Sequence, residues 1–269
     1  MLGAIAGDII GSLHEFEGTK TTDFPLFTLG SFFTDDTVLT VATAEKLLTG
    51  GDYAALYRRW GAKYPDAGYG GRFKRWLATP GAGPYGSFGN GSAMRVSPVA
   101  YAFGSLEEVL AEAEASAAVT HSHPEGIKGA QAAAAAVFLA RAGKTKAEIR
   151  EYISGTFHYD LAPSVDEIRR DYAFDETCQG SVPQAVICAL SAATYADAVR
   201  KAVSLGGDAD TLACITGAIA ETLYGGVPFK IARRARAFLP PDILAVLDAF
   251  ARRFMAGKAW PAAGYPNSG

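Results

Sequence analysis

Two short acidic segments hold the residues best suited to chemistry: Thr34-Asp35-Asp36-Thr37 near the start of the chain and Asp208-Ala209-Asp210-Thr211 far beyond it. Each runs straight into an apolar stretch, Val38 to Leu48 and Leu212 to Ala220, which places its carboxylates in the first turn of a helix. Gly206 and Gly207 end the element before the second segment. A carboxylate at a helix N-terminus satisfies free N–H groups and suits the macrodipole, for about 0.3–1 kcal/mol, so two independent caps account for either segment alone. If the two helix starts meet, four carboxylates and several hydroxyls share one small volume. Unit charges about 4 Å apart repel by about 4 kcal/mol at an effective dielectric near 20, and divalent cations with oxygen ligands are the simplest remedy. Hard oxygen donors, with no thiolate or imidazole among them, favour two Mg²⁺ ions, with Mn²⁺ the alternative. Spacing leaves both readings open.

Other chemistry-bearing residues lie around these segments. Asp8 and Glu15, about two turns apart, project from nearly the same side of a first helix. Asp8 reads as a buried carboxylate bonded to backbone. Glu15, at the helix end, is free to swing with the following loop. The Gly- and Pro-rich stretch from Pro65 to Ser92 is long for a structureless connection, so a functional loop is expected, and its aromatics argue against disorder. Its end, Gly86 to Ser92, leaves backbone N–H groups free of side-chain bulk and suits phosphate. His121 and His123, between two Ala-rich runs, are either hydrogen-bonding linkers or ligands.

Positioning these groups requires many helices. Gly3, Gly7 and Gly11 share one face of the first helix, expected over residues 3–15, and permit close helix contact. Capping boxes are predicted at Ser105/Glu108, Thr145/Glu148 and Ser164/Glu167, and Pro124 suits a first helical turn. Further helices are expected over 184–194, 196–205 and 242–254, with residues 256–269 forming a surface strap. Without a convincing series of alternating strands, the pattern is an all-α, compact single-domain bundle of roughly a dozen helices spanning 1–269. At 269 residues, 49% hydrophobic, with a net charge of −3, the chain is long enough for a sizeable core and lacks the electropositive footprint of a nucleic-acid binder. Cys178, Cys188 and Cys214 lack metal-ligand spacing and suggest a reduced, cytoplasmic protein. The N-terminus does not read as a signal peptide and no stretch is apolar enough to span a bilayer.

The segments GAIAGDIIGSLHE, FTDDT, GSFGNGSAMR, THSHPEGIKGA and LGGDADTLA, in this order over about residues 3–225, resemble the ADP-ribosylglycohydrolase family. The resemblance implies an all-α fold with a binuclear metal site in a central cleft, held by Thr34, Asp35, Asp36, Asp208, Asp210 and Thr211. It implies that Gly86, Ser87, Phe88, Asn90, Met94 and His121 line an ADP-ribose pocket, with Gln179 and Ser181 on another wall and either Tyr85 or Phe88 stacking on a ring of the ligand. Glu15 matches the family's acidic residue after the first helix and, with Asp35, is assigned to catalysis. Ala209 stands where relatives often carry Thr or Ser. The implied reaction is hydrolysis of the bond between ADP-ribose and an acceptor, on an ADP-ribosylated protein or a small ADP-ribose conjugate, by a monomer. Retention of both acidic segments argues against a non-catalytic binding or structural relative. A metal-dependent phosphoesterase is distinguished by its products.

Overall fold

Ala-rich segments of helical period, closed by side-chain caps, dictate a helical chain, and the computed structural model describes residues 1–255 as fifteen α-helical segments with no strand among them. In chain order these are α1 (Leu2–Gly11), α2 (Asp35–Thr49), α3 (Tyr53–Lys63), α4 (Gly71–Ala78), α5 (Gly91–Met94), α6 (Val99–Ala102), α7 (Leu106–Ala118) and α8 (Pro124–Arg141). They continue as α9 (Lys146–Phe157), α10 (Val165–Asp171), α11 (Cys178–Ser191), α12 (Tyr195–Val203), α13 (Ala209–Leu223), α14 (Phe229–Arg236) and α15 (Pro241–Phe250), followed by one π-helical turn, Ala251–Met255. All three predicted capping boxes form, at the starts of α7, α9 and α10. Pro124 opens α8, and the His123 ring accepts from the Glu125 N–H. The expected strap at 256–269 lies outside the described residues.

At the centre, α1 and α13 lie backbone to backbone. Both are buried on almost every side, so neither has a conventional amphipathic pattern. The three glycines of α1 explain the approach: a Cβ on Gly3, Gly7 or Gly11 would collide with the carbonyl of Gly217, Ala213 or Ala209 respectively. Helices α2, α8, α11 and α12 surround this pair, and the core is filled largely by Ala, Val, Ile and Leu.

Besides the last helix, whose α-helical part ends at Phe250 and not at Phe254, three features differ from expectation. Helix α1 stops at Gly11, and residues 12–18 continue as turns, so Glu15 sits on a loop that leaves the helix. Helix α11 begins at Cys178, six residues before the expected start, because the Thr177 hydroxyl caps it by accepting from the Gly180 N–H. Pro183 therefore falls inside the helix. The Gly-rich stretch contains a real helix, α4, whose Phe73 and Trp76 are buried. Arg58 fixes the turn after it: the guanidinium stacks 3.8 Å over the Trp76 ring and donates to the carbonyls of Trp76, Leu77, Thr79 and Ala82.

Candidate active site

The α1/α13 seam brings the two acidic segments together. Where Gly11 meets Ala209, the loop after α1 reaches the first turn of α13, and α2 begins alongside. Asp8 organises this junction. Fully buried, it accepts from the Thr34 N–H (3.0 Å), the Thr34 hydroxyl (2.8 Å), the Thr37 N–H (3.1 Å) and the Thr37 hydroxyl, and so anchors the start of α2 against α1. Burial and the Asp210 charge still push its pKa up to about 7, against the pull of the Thr37 and Thr34 hydrogen bonds.

A cavity of about 560 Å³ opens over the junction. Glu15, Asp208 and Asp210 each bring a carboxylate oxygen to within 4.8 Å of the others. Asp35 and Asp36 line the same cavity from the start of α2, and Thr211 links the two segments by donating from its hydroxyl to Asp36 Oδ2 at 3.4 Å. The Thr34 hydroxyl lies between Asp8 Oδ1 at 2.8 Å and Asp36 Oδ2 at 3.5 Å, one layer below the cavity lining. Burial and then the Asp210 charge raise the pKa values of Asp35, Asp36 and Asp208 well above the ordinary carboxylate range. The same two causes, then Asp8, raise half-buried Glu15 to about 7.

The second wall comes from the glycine-rich loop. The Asn90 side-chain amide donates to Asp208 Oδ2 at 2.7 Å and to the Ser181 hydroxyl at 3.0 Å, and Ser181 donates to the Asp175 carbonyl. An isolated antiparallel bridge between Gly89 and Thr177 ties this loop to the start of α11 through Asn90 N–H to Glu176 O and Cys178 N–H to Phe88 O. Ser87, Asn90, Met94 and His121 line the cavity. Ser181 reaches it only through Asn90. Gly86 supplies a left-handed turn at φ 62°, on the exposed side of the loop. Gln179 is exposed, and Phe88, 40% exposed, packs edge-on to His123 at 5.3 Å, so neither contributes a cavity wall. Of the two aromatics proposed for stacking, Tyr85 is the one that faces the cavity, held under the Arg72 guanidinium.

A profile of the ADP-ribosylglycohydrolase family matches residues 1–260. The chain belongs to the ADP-ribosylglycohydrolase family. It is therefore a hydrolase of the ADP-ribosylglycohydrolase class. Its relatives include ADP-ribosylhydrolase ARH3 of Mus musculus, 28% identical over 91% of this chain and 88% of the relative. ADP-ribosylhydrolase ARH3 of Homo sapiens is 28% identical over 91% and 90%. ADP-ribosylarginine hydrolase Tri1 of Pseudomonas putida (strain GB-1) is 28% identical over 85% and 71%. A solved structure described as an ADP-ribosylglycohydrolase-related protein complex shares the fold, with a TM-score of 0.70 and 24% identity over 93% of this chain and 96% of that one.

The donor set of this ADP-ribosylglycohydrolase fits a divalent cation. Every candidate ligand is a hard oxygen, no ion pair among the described residues reaches Glu15, Asp35, Asp36, Asp208 or Asp210, and Asp36 Oδ1 is buried without a hydrogen-bond donor. Several wall residues carried no signal in the sequence. Phe16 and Phe174, stacked at 6.0 Å, together with Arg72, Arg75 and Glu176, reach the cavity from irregular segments or from the exposed side of α4, where no periodicity marks them.

Proposed function

We propose that this ADP-ribosylglycohydrolase cleaves the glycosidic bond between ADP-ribose and its acceptor with divalent cations held by Asp35, Asp36, Asp208, Asp210, Thr211 and the Thr34 segment, releasing ADP-ribose whole. The observation that carries this reading is the meeting of the two acidic segments on one cavity where, although Arg72, Arg75 and Arg95 also line it, no ion pair among the described residues reaches Glu15, Asp35, Asp36, Asp208 or Asp210. Bound cations, Mg²⁺ by donor hardness with Mn²⁺ as the alternative, would offset that charge and polarise the oxygens they meet. Glu15 is suited to proton transfer. It lies on a loop at the cavity mouth, and a pKa of about 7 lets it both hold and release a proton near neutral pH. Asn90 orients the Asp208 carboxylate, and the Ser87–Asn90 turn with His121 faces the ADP-ribose half. The stacked pair Phe16 and Phe174 lines the cavity together with Glu15, which supports assigning it to the acceptor half.

The decisive experiment is mass-spectrometric product analysis on defined arginine-, serine- and O-acetyl-linked ADP-ribose conjugates, with Mg²⁺ or with EDTA. Intact ADP-ribose, formed with Mg²⁺ and lost with EDTA, is the expected result. AMP or free phosphate would instead show a phosphoesterase, and turnover that survives chelation would overturn the metal assignment. Glu15→Gln is expected to lower turnover by about 10²–10⁴-fold while ADP-ribose still binds. Full turnover in that variant would remove Glu15 from proton transfer.

A further inference from the structure

Within the cavity wall a buried chain of hydrogen bonds runs from Arg95 through Thr120 to His121. Arg95 is fully buried, its guanidinium 4.2 Å over the Tyr57 ring. Its Nη2 donates to the Ser116 carbonyl and to the Thr120 hydroxyl, both at 2.9 Å, and its Nε and Nη1 find no acceptor. Thr120 Oγ1 lies 2.8 Å from His121 Nδ1. Fully buried Thr120 has no other side-chain partner, so its hydroxyl accepts from Arg95 and has a single outlet for its own proton, Nδ1. The opposite arrangement, with Nδ1–H donating to Thr120, would strand a buried hydroxyl proton at a cost of about 1–3 kcal/mol. The far side of the ring is open: Nε2 faces the cavity beside two glycines, where a Cβ on Gly91 would lie 3.2 Å away and one on Gly89 3.6 Å away.

We infer that Arg95 and Thr120 are positioning residues that hold His121 as the neutral Nε2–H tautomer, so that it presents one hydrogen-bond donor to an acceptor oxygen of the bound ligand. The ligand half of this inference rests on the ADP-ribose reading above; the tautomer half does not. Burial, then Arg95 and Arg72, also hold the His121 pKa well below its usual range, in keeping with a neutral ring. The relay gives Arg95 a role that its burial alone does not explain. A buried guanidinium is costly unless it is hydrogen-bonded, and here the Ser116 carbonyl, the Thr120 hydroxyl and the Tyr57 ring offset that cost.

Imidazole ¹⁵N spectroscopy of the whole protein at neutral pH tests the relay directly, with His121 assigned by loss of its signals in His121→Asn. Nδ1 is expected to be unprotonated and hydrogen-bonded, and Nε2 protonated. A wild-type spectrum showing Nδ1–H or an imidazolium overturns the relay, whatever the ligand does. Thr120→Val should mix the tautomers and weaken ADP-ribose binding in calorimetry by about two- to tenfold, the loss of one hydrogen bond. Thr120→Ser should restore both. Gly91→Ala should weaken ADP-ribose while leaving the Nδ1 signature intact, because the added methyl crowds the Nε2–Cε1 edge of the ring and leaves the Thr120 contact in place. Wild-type affinity in Thr120→Val and Gly91→Ala together would overturn the donor role. Failure of ADP-ribose to bind the wild type would overturn the functional reading and the ligand half, with the tautomer still decided by the spectrum.

Discussion

The two ends of the α1/α13 pair treat buried carboxylates in opposite ways. At the Gly3/Gly217 end, Glu221 is fully buried and its Oε2 meets the Met1 ammonium group and the Gly3 N–H at 2.9 Å. At the Gly11/Ala209 end, Asp8 and Asp210 are joined by Glu15, Asp35, Asp36 and Asp208, and no ion pair among the described residues reaches them. The same seam thus ends once in a carboxylate with a built-in cation and once in a group of carboxylates without one. A permanently paired acid serves architecture; an unpaired cluster in an open cavity suits a cation that comes from solution.

Charge removal at the two ends should separate them. Asp210→Asn is expected to lower ADP-ribose release by on the order of 10²–10³-fold. It should also raise the thermal stability of the metal-free protein, since Asp210 helps lift the pKa values of five other carboxylates. A fall in metal-free stability would show that Asp210 is structural and end the contrast. Glu221→Gln should do the reverse. It strands the Met1 ammonium group and costs about 3–5 kcal/mol by denaturant titration, with kcat of the folded fraction unchanged.

Gly7→Ala attacks the seam between the ends. The added methyl meets the Ala213 carbonyl, and the expected loss of about 1–3 kcal/mol or more should bring lower activity with it, because Asp8 and Asp210 are carried by the two helices that would be pried apart. Retained stability and turnover would mean that close backbone contact does not hold the site together.

The smallest effect concerns pH. Asp8 and Glu15 have folded-state pKa values raised to about 7, so between the ordinary carboxylate range and neutrality the folded protein binds more protons than the unfolded chain. Their stabilising contribution is therefore complete below the unfolded pKa and is lost as pH rises through about 7. In EDTA, calorimetric Tm should decline from about pH 5 to 7.5 relative to the Mg²⁺ series, because a cation competes with protons and binds best to the ionised cluster. Parallel curves with and without Mg²⁺ would sink the metal assignment.

Features with a local or periodic cause were legible in the sequence. The capping boxes depend on residues three apart, and Gly3, Gly7 and Gly11 recur with the helix period, so each announces itself. The acidic helix starts were visible in the same way, as carboxylates ahead of apolar runs, although the cap of α2 is the Thr34 hydroxyl and Asp208 makes no side-chain cap bond at α13. What stayed hidden depends on long-range partners. The start of α11 is the exception, a local Thr177–Gly180 cap masked by Pro183, which reads as a helix boundary and falls inside the helix. The turn after α4 depends on Arg58, some twenty residues upstream, gathering its carbonyls. Phe88 looked as suitable as Tyr85 for stacking until the Gly89–Thr177 bridge turned it outward against His123. The relay to His121 joins Arg95 to a threonine on another helix end, and no motif spacing encodes it.

The seam also sets when the cavity can exist during synthesis. Helix α1 emerges first and α13 roughly two hundred residues later, so the pairing that closes the acidic junction is among the longest-range contacts in the fold. Until α13 is made, the glycine face of α1 lacks the backbone it packs against in the fold. On the metal reading proposed above, cation uptake would report that α13 has docked on α1, since a product ending before α13 carries only the Asp35–Asp36 half of the cradle.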